Sequence, residues 1–152
     1  MSDDPHGVHD FVYDPRNADI KVSINGELKH RDEASVSVFE SGYLLGDGVW
    51  EGLRVHKGGV AFLPEHFKRL YAGAKTIDMD IGLTPDELRQ RLFDCLKAQG
   101  MTDGVHIRLM VTRGIKKTPY QGTRFTIKAP TNDINPEYKS PVPEEIENGV
   151  SL

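Results

Sequence analysis

The chain has 152 residues, 38% of them hydrophobic and 28% charged, with a formal net charge of −4 and one cysteine. That length allows one domain with a real core and is short for two. A negative balance without clustered Lys and Arg argues against nucleic acid as a partner, no run is apolar enough to span a bilayer, and a lone thiol excludes an internal disulfide. Neither a basic start nor an apolar stretch marks a signal peptide, so the cytoplasm is the expected location.

Residues 1–19 are polar, carry Pro5, Gly7 and Pro15, and read as a flexible arm whose anchors are Phe11, Val12 and Tyr13. Ile20, Val22 and Ile24 then alternate with Lys21 and Ser23, and Asn25-Gly26 suits a type I′ hairpin turn into Glu27-Leu28-Lys29. Ser35 to Phe39 reads as a further short strand. After the glycine turn Gly42 to Gly48, a strand carries Val49, Glu51, Leu53 and Val55 on one face and Trp50, Gly52, Arg54 and His56 on the other. An ionised Glu among Val and Leu is costly unless paired, so Glu51 is expected to meet an arginine, with Arg69 and Arg108 as candidates. Lys57-Gly58-Gly59 turns the chain back into Val60-Ala61-Phe62.

Two helices follow, near residues 64–79 and 85–99. The first has Pro64 at its start and the stripe Phe67, Leu70, Tyr71, Ala74 and Ile77. A capping box, Thr84-Pro85-Asp86-Glu87, opens the second, which runs through Leu88, Leu92, Cys95 and Leu96 and ends at Gly100. Cys95 is thereby a core thiol, not a nucleophile. Val105 to Thr112 is the clearest strand, with Val105, Ile107, Leu109 and Val111 on one face and His106, Arg108, Met110 and Thr112 on the other. From Thr131 the chain turns polar and Pro-rich, which reads as a linker. These elements predict an α+β domain over residues 20–135, its antiparallel or mixed sheet covered on one face by the two helices. Residues 136–152 would then be a linker and the start of a second domain.

Scattered histidines offer no metal site, and nucleophile elbow, phosphate-binding glycine loop and dinucleotide fingerprint are all absent. Spacing by itself leaves the purpose of the domain open. Three ordered blocks narrow it: Val38 to Arg54, Phe62-Leu63-Pro64-Glu65-His66-Phe67-Lys68-Arg69-Leu70, and His106 to Gly114. Together they resemble the fold-type IV pyridoxal-phosphate enzymes, which comprise branched-chain aminotransferases, D-amino-acid aminotransferases and aminodeoxychorismate lyases.

The resemblance implies an aminotransferase that exchanges an amino group between an amino acid and a 2-oxo acid, uses pyridoxal 5′-phosphate and is a homodimer. It gives Arg69 the phosphate-binding role, for which a guanidinium with fixed donors is suited. Trp50 falls where the family lines the substrate side-chain pocket, and Arg108 where branched-chain enzymes meet a substrate carboxylate. Leu45 stands at a substrate-pocket position usually held by tyrosine, and the loop Lys116 to Tyr120 lacks the Arg and His of the D-amino-acid enzymes. The family's Schiff-base lysine lies in its second domain, and Lys139 has none of the surrounding pattern, so the chain by itself is expected to hold no catalytic lysine and no stably bound cofactor. Two alternatives accompany this reading: a non-catalytic isolated or engineered domain, and an aminodeoxychorismate lyase.

Overall fold

The computed structural model describes residues 13–139. The anchors Phe11 and Val12 of the expected arm, and all of the expected linker after Lys139, lie outside the described residues.

Six strands form one sheet in the order β2-β1-β6-β5-β3-β4, from β1 (Lys21–Ile24), β2 (Glu27–His30), β3 (Gly48–His56), β4 (Gly59–Val60), β5 (Val105–Thr112) and β6 (Thr131–Tyr138). Every pairing is antiparallel, which resolves the expected "antiparallel or mixed" sheet. Asn25 and Gly26 both have positive φ, 55° and 88°, as a type I′ turn between β1 and β2 demands. The centre of the sheet is β5, paired over its full length with β3 on one side and β6 on the other.

One face of this sheet is dry. Val105, Ile107, Leu109 and Val111 are each 0% exposed, and Leu53, Val55 and Ile134 join them. Against that face lie α2 (Leu63–Thr76), which buries Phe67, Leu70 and Ala74, and α3 (Pro85–Lys97), which buries Leu88, Leu92, Cys95 and Leu96. The capping box of α3 is formed: the Thr84 hydroxyl accepts from the Glu87 N–H, and the Glu87 carboxylate accepts from the Thr84 N–H at 2.7 Å. Burial pushes the Cys95 thiol up to about 11, so it is an inert core group, as expected. Tyr71 is only partly buried, its hydroxyl donating to the Leu83 carbonyl, and Ile77 lies past the end of α2 at 38% exposure.

Five sequence expectations are corrected. Thr131–Tyr138 is not a linker but strand β6, in the interior of the sheet. Its inward positions are Asn132, Ile134 and Pro136, so apolar alternation is weak. Asn132 is satisfied instead by polar partners, receiving a hydrogen bond from Arg91 and donating its N–H to the Asn25 side chain. Pro136 lies beyond the short β1–β6 ladder, which ends at Ser23–Ile134. Ser35 to Phe39 is not a strand: a turn closes as the Glu40 N–H donates to the Ser37 carbonyl, and Val36 and Val38 stay exposed. The glycine turn before β3 contains a five-residue helix, α1 (Ser41–Leu45). Val60-Ala61-Phe62 shrinks to the two-residue β4, because the left-handed Phe62 already leads into α2. Part of the expected arm is also ordered, since Asn17 bonds both the N–H and the carbonyl of Tyr138 through its side chain.

Two outcomes are expected from this packing. Leu109→Ala should cost about 3 kcal/mol in urea denaturation, because the wholly buried site between β3 and β6 cannot collapse around the void. Asp133 on β6 is raised by burial from 3.8 to about 6. The folded chain therefore keeps a proton that the unfolded chain releases, and this group lowers stability as pH rises through that window. In Asp133→Asn the slope of stability against pH between about 4 and 6 should become more positive, read from thermal midpoints.

Candidate functional site

Because β3 alternates, its two faces build two different environments. Val49, Glu51, Leu53 and Val55 face the helices, and a Cβ added to Gly73 of α2 would touch Val49 at 3.4 Å. Glu51 is 3% exposed. Its carboxylate accepts from Arg69 Nε at 2.7 Å and Arg69 Nη2 at 2.5 Å, a bidentate pair, and it meets His66 Nδ1 at 2.8 Å. Of the two arginines considered for Glu51, the partner is Arg69. The Arg69 hydrogen bonds hold the Glu51 carboxyl below its ordinary value against the opposing effect of burial, with His66 adding to the same direction. Glu51 in turn raises Arg69.

Glu51 occupies the Nε–Nη2 edge of the guanidinium, Nη2 also lies 3.3 Å from His66 Nδ1, and Nη1 makes no hydrogen bond among the described residues. The Arg69 side chain is 71% exposed despite this pairing. His66 and Arg69 sit three apart on α2, which puts them on one side of the helix. His66 belongs to this cluster although sequence reasoning gave it no role; the i, i+3 spacing from Arg69 was the available signal.

Trp50 and Arg108 occupy the opposite face. In the β3–β5 register Trp50 lies across from Met110 and Gly52 across from Arg108, so Trp50 and Arg108 are diagonal neighbours. The Arg108 guanidinium stacks over the Trp50 ring at 4.1 Å, and both side chains are exposed. Two of the expected site residues are thus brought together, while Arg69 stands across the strand from them. Leu45 ends α1, with two residues between it and β3, and is 37% exposed.

The start of β3 is fixed by tight contacts that spacing did not reveal. A Cβ on Gly48 would come within 2.7 Å of the Val111 carbonyl oxygen, so only glycine fits there. The Thr112 hydroxyl donates to the buried Glu40 carboxylate, which also accepts from the Gly42 N–H at 2.6 Å. Asp47 pairs with Arg113 at 2.7 Å, and Arg113 also donates to the carbonyls of Ile77 and Asp78 at the end of α2. Together these bonds tie α1, α2 and β5 to the turn that aims Trp50.

Arg69→Ala should lower the urea midpoint, because it strips the buried Glu51 of its main partner, and adding Glu51→Gln to that variant should recover part of the loss. Strictly additive losses in this double-mutant cycle would contradict the pairing. The Glu51 contribution should be present above its unfolded value of about 4.5 and disappear as pH falls through its lower folded value.

Residues 48–149 match the family model for amino-transferase class IV. The chain is 38% identical over 138 residues to branched-chain-amino-acid aminotransferase-like protein 1 of Arabidopsis thaliana, covering 91% of this chain and 25% of that protein. Among solved structures it is similar to the branched-chain aminotransferase of Thermoproteus uzoniensis with norvaline, at 27% identity and a TM-score of 0.65 over 78% of this chain and 40% of that one. A second is the 4-amino-4-deoxychorismate lyase of Pseudomonas aeruginosa, at 26% identity and a TM-score of 0.65 over 82% of this chain and 42% of that one. The chain thus spans between a quarter and about two fifths of the length of these three proteins. The helix-backed antiparallel sheet and the match over most of the chain lead to one conclusion: the protein belongs to the class IV aminotransferases, a family that uses pyridoxal 5′-phosphate.

Proposed function

We propose that this chain is the small-domain part of a pyridoxal-phosphate-dependent aminotransferase that moves an amino group between a branched-chain amino acid and a 2-oxo acid. The observation that carries this reading is Arg69, held by Glu51 through Nε and Nη2, largely exposed, and with no hydrogen bond to Nη1 among the described residues. Such an arginine suits a phosphate dianion, because its orientation is set before the ligand arrives. The chemistry of the donor set therefore fits the phosphate group of the cofactor.

In this reading each residue of the chain has one task. Arg69 binds the cofactor phosphate, and Glu51 and His66 orient it. Trp50 provides an apolar wall for an aliphatic substrate side chain, and the Arg108 guanidinium, stacked on that ring, binds the substrate carboxylate. Leu45 extends the apolar wall, without the hydrogen bond that tyrosine would supply. When bound, pyridoxal phosphate withdraws electrons from the substrate carbon that carries the amino group. The lysine that holds the cofactor and moves the proton belongs to residues outside this chain. Self-association of two copies is the expected assembly of the complete enzyme, in the cytoplasm; among the described residues no helix is long and apolar enough to cross a membrane.

The test is transfer from L-leucine to 2-oxoglutarate by the complete protein. Arg108→Gln is expected to reduce kcat/KM for L-leucine about thirtyfold, the equivalent of about 2 kcal/mol for one charged hydrogen bond. Arg69→Gln is expected to release the cofactor on dialysis, seen as loss of its visible absorbance. Residues 1–152 by themselves should transfer no amino group. Transfer by that chain alone, or a complete protein that consumes aminodeoxychorismate and releases pyruvate with no activity on L-leucine, would contradict the proposal.

A further inference from the structure

Beside the Arg108–Trp50 stack, the open face of the sheet carries an imidazole with no assigned task. In register, Arg54 of β3, His106 of β5 and Glu137 of β6 form one rung, and Gly52, Arg108 and Asn135 form the next. His106 leans from its own rung toward the second: a Cβ added to Gly52 would lie 3.3 Å from its Nε2, so glycine gives the ring its place. Arg108 leans the same way, from Gly52 toward Trp50. The two side chains therefore run side by side, about 7 Å apart as alternate residues of one strand are. One carboxylate, with an oxygen about 3 Å from each, can bridge that interval.

His106 is half-buried and makes no hydrogen bond among the described residues, yet neither ring nitrogen is enclosed, so a ligand can reach it. Its charged neighbours come from every strand around it. Burial, followed by Lys139, Arg108 and Arg54, holds the imidazole below its ordinary 6.5, and Glu137 opposes them. Glu137 also faces Arg31, 4.0 Å away. A proton on His106 thus adds to three positive charges nearby, and a carboxylate bound among them offsets that repulsion. By linkage, carboxylate and proton strengthen each other's binding by the same factor.

We propose that carboxylate binding at Arg108 is coupled to protonation of His106, the proton coming from solvent, so that the substrate carboxylate binds more tightly as pH falls below neutral. The inference rests on the reading of Arg108 given above and adds the group that makes this recognition pH-dependent. Asp133 lies on the same face, opposite Met110, and burial raises it to about 6, so its charge acts on an anion in the same direction. Variants of both residues are needed to separate the two.

Imidazole ¹⁵N shifts of His106 in the labelled 152-residue chain test the coupling, assigned by their absence from His106→Gln. The probe is 4-methylvaleric acid, and its neutral amide is the control. The acid is expected to raise the titration midpoint of His106, and the amide to leave it in place. Affinity for the acid, read from the Arg108 Nε shift, should rise about fivefold from pH 8 to pH 6, a range over which the probe stays ionised. Asp133→Asn should keep that dependence. His106→Gln, which retains a donor but takes up no proton, should lose it. The inference is overturned if the acid produces no shift, if it binds while the His106 midpoint stays fixed, or if the pH dependence survives in His106→Gln. Transfer from L-leucine by the complete protein with a fixed midpoint would reject the coupling alone, whereas a coupled midpoint in a complete protein that transfers nothing would reject the aminotransferase reading alone.

Discussion

A carboxylate buried at 3% exposure in the middle of a strand has to be compensated, and the way Glu51 is compensated organises much of this molecule. Its partners come from α2, so β3 and α2 cannot slide past one another without leaving that charge alone. The apolar contacts of Phe67, Leu70 and Ala74 press the same helix against the same face, but they are non-directional. The bidentate pair adds direction. It determines which turn of α2 lies over Glu51, and with it where the outer edge of Arg69 points.

The period of two in β3 then separates a buried face from an exposed one. Buried residues alternate with exposed ones on β3 and on its neighbour β5, so Trp50 and Arg108 are exposed on the back of strands whose front is packed against the helices. The Arg108–Trp50 stack gives two exposed side chains mutual order on that surface. The tight approach of Gly48 to Val111, the Thr112–Glu40 bond and the Asp47–Arg113 pair secure the strand entrance.

Much of this was legible in the sequence where a local rule decided the outcome. The Asn25-Gly26 turn, the Thr84–Glu87 capping box, the burial of Leu88, Leu92 and Cys95, and the alternation of β5 follow from residues within a few positions of each other. The cost of burying Glu51 was legible too. Which arginine meets it was not, because that depends on which side of the sheet the helices cover. β6 was hidden for a related reason: only Ile134 among its inward residues is an ordinary core side chain, and Asn132 is made tolerable by Asn25 and Arg91, far away in the chain. Conversely, Ser35 to Phe39 alternates like a strand but finds no neighbouring ladder. Among the site residues, resemblance gave Trp50 and Arg108 separate tasks toward a substrate, and their contact with each other, which the sequence did not indicate, is seen directly. His66 was passed over because its function is to hold a neighbour.

Glu51 positions the Arg69 guanidinium, and the proposed role of that guanidinium is to receive phosphate. A crystal structure of the complete protein with pyridoxal phosphate measures this most directly. The expected result is a phosphate oxygen within hydrogen-bonding distance of Arg69 Nη1 or Nη2 while Nε remains on Glu51. A phosphate bound elsewhere, with Arg69 engaged by Glu51 alone, would contradict the account.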